Sequence, residues 1–203
     1  MKPILHAVVI VCLGLVAPLQ LARAQDVSAY LGFGGAYDGS SNRYYDTFSD
    51  GTLHQTPHTQ GPMGQLGMSV FFGGQWGIGA EISRRLIQGD YAGLNYSLSF
   101  SSIDAVFRPK AKTSKEFEPE FRFGIGAARL HYSFDDQTFC DQIPGCPVST
   151  HFQVRLAAAG RLYISNHVFF RPALDLHYVN GFSEFRYNWV PEYSIGIGYS
   201  LGR

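Results

Sequence analysis

The chain has 203 residues, with 16 basic and 16 acidic side chains and no formal net charge. That balance gives no bulk attraction to nucleic acid, and none is expected as a partner. Charged residues are sparse at 16%, while aromatics reach 15% and glycines number 23, a composition foreign to ordinary soluble domains.

The N-terminus reads as an export signal. Lys2 is followed by an apolar run from Ile4 to Leu21, and Ala22-Arg23-Ala24 is a small-x-small cleavage site. A transmembrane anchor is the alternative reading, but Pro18 and the cleavage site favour removal. Val11 before Cys12 argues against a lipoprotein signal. Residues 1–24 are therefore assigned to a signal peptide and 25–203 to one mature domain of about 180 residues. The mature part has two cysteines, Cys140 and Cys146, flanking Pro144-Gly145. In an oxidising compartment such a pair across a short turn is expected to form a disulfide. The alternative, a metal pair, lacks neighbouring His or Cys ligands. No cofactor or metal is expected.

Eight segments have the period of two that marks strands. The first, Val27 to Tyr37, sets Val27, Ala29, Leu31, Phe33 and Tyr37 against Gly32, Gly34 and Ala36. The second is Gln65 to Phe72, and Gly73-Gly74-Gln75 is a tight turn. The third, Trp76 to Arg84, opposes Trp76, Ile78, Ala80 and Ile82 to Gly77, Gly79, Glu81 and Ser83. In the fourth, Leu94 to Phe107, Leu94, Tyr96, Leu98 and Phe100 form the apolar face. The phase then slips at Ser101-Ser102, so that Ile103, Ala105 and Phe107 take over, as a bulge would allow. The fifth, Phe117 to Phe134, slips similarly near Ala127-Ala128. The sixth is Phe152 to Ile164 and the seventh Val168 to Val179, with Ser165-Asn166 as the turn between them. The eighth, Trp189 to Leu201, alternates Tyr193, Ile195, Ile197, Tyr199 and Leu201 with Ser194, Gly196, Gly198 and Ser200.

A soluble sandwich or lipocalin-like barrel would put the bulky set inside and a polar set in water. Here the opposite face is small residues with a few charges, the pattern of a strand with lipid outside and a narrow lumen inside. Long polar connections (Asp38 to Gly64, Arg85 to Gly93, Asp135 to His151, Asn180 to Asn188) alternate with short ones, as in outer-membrane barrels. Aromatic girdles are expected at both rims. Tyr37, Tyr44, Tyr132, Tyr178 and Trp189 fall at the loop end, and Trp76, Phe107, Phe117, Phe169 and Tyr199 at the turn end.

In these features the mature chain resembles the small outer-membrane β-barrels of the OmpA/OmpX type. The resemblance is carried by Ala29-Tyr30-Leu31-Gly32-Phe33-Gly34-Gly35, Glu118 to Ala127, Phe170 to Tyr178 and the closing Tyr193 to Leu201. It implies an all-β, eight-stranded antiparallel transmembrane barrel of meander topology, located in the cell outer membrane. Ser194, Gly196, Tyr199 and Leu201 match the terminal assembly signal read by the barrel assembly machinery, with Gly202-Arg203 in place of a last aromatic. The implied partners are outer-membrane lipid, that machinery during insertion, and a surface ligand at the long loops. The protein is expected to be a monomer.

The inward face carries Glu81, Asp104, Glu120, Asp175 and Glu192 with Arg122, Arg155, Arg161 and Arg171. In a lumen barely wide enough for side chains, these are expected to pair and plug it, leaving a structural or adhesin-like surface role. A narrow porin-like channel is the alternative. Lipid A deacylases of this fold use a His and a Ser two apart on one strand. His131-Tyr132-Ser133 has that spacing, but Phe134 replaces the Asn that follows, and no enzymatic activity is expected. In the first loop His54 and His58 lack a third ligand and read as solvated.

Overall fold

The computed structural model describes residues 24–38, 44–45, 51–55, 58–72, 74–91, 94–109, 117–133, 148–180 and 187–202. Among them eight long strands follow one another: β1 (Ala24–Ala36), β2 (Gly61–Phe72), β3 (Trp76–Arg85), β4 (Leu94–Phe107), β5 (Phe117–Ser133), β6 (Val148–Tyr163), β7 (Val168–Val179) and β8 (Trp189–Ser200). Each pairs antiparallel with its neighbours in sequence, and β8 returns to β1 from Ser28–Ser200 to Ala36–Glu192. The sheet is thereby closed and every strand has two partners, which membrane-embedded backbone requires. Two short strands, Tyr44–Tyr45 and His54–Gln55, pair within the first loop, and Gly89–Tyr91 extends the sheet beside β4.

The predicted segments end within four residues of the observed strands, and β4 and β7 have the predicted limits. β2 and β6 start earlier than their apolar alternation, because they continue upward beyond it. The β2–β3 turn holds Gly74 at φ 90°, a left-handed conformation that glycine adopts without strain. The ladder between β6 and β7 passes from Leu162–Phe170 to Ala159–Ala173, skipping Pro172, which has no N–H to donate.

The expected slips in β4 and β5 do not occur. Their pairing is unbroken from Asn95–Ser133 to Phe107–Phe121. Even-numbered residues therefore face inward along both strands, and Tyr96, Leu98, Phe100, Ala128, Leu130 and Tyr132 are buried in the lumen. Their odd-numbered neighbours Ser97, Ser99, Arg129 and His131 face outward. The apolar face changes sides of the wall part-way up each strand while the backbone keeps its phase. Alternation within each half imitates a bulge at this switch.

Outside, an apolar surface of Leu31, Phe33, Ile78, Ile103, Phe123, Ile125, Leu156, Ile195 and Ile197 is exposed. A surface of that kind is unstable in water and suits hydrocarbon. Trp76, Phe117, Trp189, Tyr193 and Tyr199 stand exposed, as girdle rings do. Tyr132 and Phe169 do not join the girdle: at 2% and 0% exposure they point into the lumen. The parity of an unbroken strand, not closeness to a strand end, decides their side.

Candidate functional site: the filled lumen

Two tiers fill the lumen. The lower, toward the short turns, is ionic. Arg155 on β6 reaches Glu81 at 2.6 Å and Asp104 at 2.8 Å, and it also pairs with Asp175. Arg122 on β5 binds Glu120 at 2.7 Å and Asp104 at 3.4 Å, and donates to the Ser69 hydroxyl at 2.7 Å. Glu120 also takes Arg161 at 2.5 Å and Arg171 at 3.1 Å. Glu192 accepts hydrogen bonds from Gln65 at 2.8 Å and Ser83 at 2.7 Å, and faces His177 at 3.3 Å. Thus the nine charges singled out in the sequence all point inward, and each has partners on other strands. Taking such groups out of water is costly, and reciprocal pairing offsets that cost.

Aromatic rings complete this tier. Tyr30 donates to Glu81 and lies under Arg171, 4.1 Å from guanidinium carbon to ring centre. Small residues make the room. A Cβ on Gly124 would come within 2.0 Å of Asp104 Oδ1, and one on Gly67 or Gly198 would meet the ring of Tyr30 or Phe169 at 2.2 Å. The glycine of the closing strand at 198 thus makes space for an aromatic ring.

At the lower mouth, three residues outside the predicted set form a crosspiece. Arg108 pairs with Asp26 of β1 at 2.6 Å and Glu118 of β5 at 3.1 Å, and stacks on Phe71 at 3.3 Å. Ser200 of β8 donates to Asp26 across the closing seam. Asp26 precedes the alternating part of β1 and Arg108 follows β4, so neither carries a periodic signal. Their charge alone was legible.

The upper tier is an apolar core. Ala36, Met63, Tyr96, Leu98, Phe100, Ala128, Leu130, Tyr132, Val179 and Val190 pack together and are buried. His177 joins the tiers. Its ring stacks on Phe100 at 4.2 Å, and it contacts Gln153 at 3.2 Å as well as Glu192. Above the core, the first loop is tied down: Arg85 donates to the His58 carbonyl at 2.9 Å and to the Tyr96 hydroxyl at 2.8 Å. Asp38 holds the Thr59 N–H at 2.9 Å and the His58 ring at 3.3 Å.

Of the remaining predicted residues, Ser194 and Gly196 face the lumen on β8, while Tyr199 and Leu201 are exposed outside. His131 and Ser133 share the outer face, and the Ser133 hydroxyl donates to the Asn95 carbonyl at 3.4 Å. Cys140, Cys146 and residues 1–23 lie outside the described residues. No group of three or more metal-binding side chains occurs among the described residues.

No protein-family model matches the chain, and no curated protein is significantly similar in sequence. Solved structures supply the comparison. OprG of Pseudomonas aeruginosa matches over 88% of this chain and 96% of its own, with a TM-score of 0.64 at 15% identity. Neisserial surface protein A matches over 86% and 95%, with a TM-score of 0.54 at 10% identity. The Yersinia pestis attachment invasion locus protein Ail, in complex with sucrose octasulfate, matches over 87% and 98%, with a TM-score of 0.53 at 13% identity. The chain has the fold of the small outer-membrane β-barrels. That fold and the lipid-compatible outer face suit a chain that spans a bacterial outer membrane.

Proposed function

We propose that this barrel is a non-conducting, non-enzymatic scaffold that presents its long loops at the cell surface for contact with a ligand or host surface. The observation that carries the closed lumen is its double filling. Arg155 with its three carboxylates blocks the lower tier, and the tightly buried Leu98, Phe100 and Leu130 block the upper one. A channel would need both to rearrange, and the apolar tier offers an ion no substitute for its hydration. A non-catalytic role is supported by the direct wall partners of His131 and Ser133, which are Ser97, Val148 and Asn95 and include no acid. A surface role is supported by the long loops and by a barrel of the same fold, Ail, captured with a heparin analogue. Planar-bilayer recording of the refolded protein tests the closed lumen: no steady conductance is expected, and large stable channels would overturn it. Lipid A mass spectra of cells with and without the protein should be identical, whereas loss of an acyl chain would establish catalysis.

A further inference from the structure

Among the described residues, a charged patch that takes no part in filling the lumen stands on the outside. Arg84 on β3 pairs with Ser99 on β4, Ser99 with Arg129 on β5, and Arg129 with Thr150 on β6. These four form one rung of the outer wall, and both arginines are exposed. On the rung toward the loops, Ser97 pairs with His131, which is also exposed. Toward the short turns the wall becomes apolar: Ile82, Ala127 and Phe152 on the next rung, then Ile103 and Ile125. Neither basic rung contains an acid among the described residues. Asp90, opposite Asn95, is one rung further toward the loops. Arg84 and Arg129 are two strand spacings apart, about 10 Å, within reach of one doubly charged headgroup.

The patch occupies one sector of the barrel. On β7, β8 and β1 the outward positions toward the loops are Tyr178, Trp189, Tyr193 and Phe33, with no base among them. A general ring of side chains snorkelling toward water would surround the barrel. A sector with two guanidiniums, a histidine and serine hydroxyls above a hydrocarbon-facing wall has the chemistry of a headgroup site. Arginine suits it because its planar fork meets phosphate oxygens two at a time.

We infer that the outer face of β3–β6 is a lipid-binding site for a phosphorylated headgroup of the surrounding leaflet. Arg84 and Arg129 straddle the phosphate, and the acyl chains lie along Ile82, Ile103, Ile125 and Phe152. Long loops face outward in barrels of this class, so the leaflet is the outer one and the ligand a phosphorylated glycolipid.

The test uses the refolded full chain in detergent, titrated with bisphosphorylated lipid A or with its dephosphorylated form, with bound lipid counted by native mass spectrometry. The wild type should hold the phosphorylated lipid about 25-fold more tightly than an Arg84→Gln/Arg129→Gln variant, since each basic side chain near an anionic surface contributes about fivefold. Either single substitution should lose about fivefold by the same reasoning. The dephosphorylated lipid should bind both proteins alike, and excess inorganic phosphate should displace nothing. Tyr193→Gln, on the opposite sector, should leave the phosphorylated lipid's affinity unchanged. Equal affinity of wild type and double variant would overturn the site. So would equal affinity of the wild type for the phosphorylated and dephosphorylated lipids, or displacement by inorganic phosphate, which would mark a free-anion site instead. All variants lie on the outer face and should keep the heat-modifiable mobility of the folded barrel.

Discussion

The two tiers of the barrel share one backbone but are built for opposite surroundings. In the lower tier charges face in and Ile103, Phe123 and Ile125 face out. In the upper tier on β4 and β5, Leu98, Phe100 and Leu130 face in, and Ser97, Ser99, Arg129 and His131 face out. The lower half is a membrane barrel, with its polar interior held by reciprocal ion pairs. The upper half of that sector is organised like a soluble barrel, with an apolar core and a wet exterior. A β-wall can therefore pass from hydrocarbon to water by exchanging which face is greasy, without a bulge or a change of register.

Substitutions can break this contrast. The largest effect is expected for Arg155→Ala, which leaves Glu81, Asp104 and Asp175 facing one another, at a cost of about 4 kcal/mol. Urea unfolding followed by gel mobility should show it as a large shift in midpoint. If Arg155→Ala were neutral, the lower tier would not depend on its charge pairing. Next, Leu98→Ala should cost about 3 kcal/mol by opening a cavity in the upper core, as in a water-soluble protein. A negligible change in the same denaturation curve would mean that this tier is not a packed core.

On the outer face the tiers should diverge most plainly. Ile125→Arg in the lipid-facing zone should destabilise the bilayer-embedded protein by about 3 kcal/mol, against about 0.5 kcal/mol for Ser97→Arg on the neighbouring strand. Comparable penalties would erase the proposed boundary between hydrocarbon and water. Gly124→Ala sharpens the picture of the ionic tier. Its Cβ would collide with Asp104, so a loss of about 2 kcal/mol is expected from overpacking alone. The tryptophan fluorescence of Trp76 and Trp189 offers a second readout for each curve.

Much of this architecture was legible in the chain. Strict alternation in β7 and β8 assigned Arg171, Asp175 and Glu192 to the lumen, and the side chains do lie there. The failure in β4 and β5 has a definite cause. Reading apolar as outward assumes one solvent along the whole strand, and Tyr96 to Phe100 stand where that solvent changes. A signal was available: Ser97, Ser99, Arg129 and His131 have the same parity as Ile103 and Ile125, so an unbroken strand was the simpler reading. Which charges pair is another matter. Arg155 meets Glu81 and Asp104 across the lumen, from strands that are not its neighbours, and periodicity carries no information about the far wall. The crosspiece of Asp26, Arg108 and Glu118 has no signature in the pattern because two of its members sit where alternation has stopped.

That crosspiece has a kinetic meaning. Asp26 and Ser200 are 174 positions apart in the chain, and Arg108 adds a third distant segment to the same contact. Neither the Asp26–Ser200 nor the Asp26–Arg108 bond can form within a single hairpin, and the first forms only when the first and last strands have met. Non-local contacts of this sort come late and are lost together. The lower mouth thus acts as a latch on the whole cylinder. Fraying at either terminus would have to break it first, and the barrel should open as one unit or remain shut.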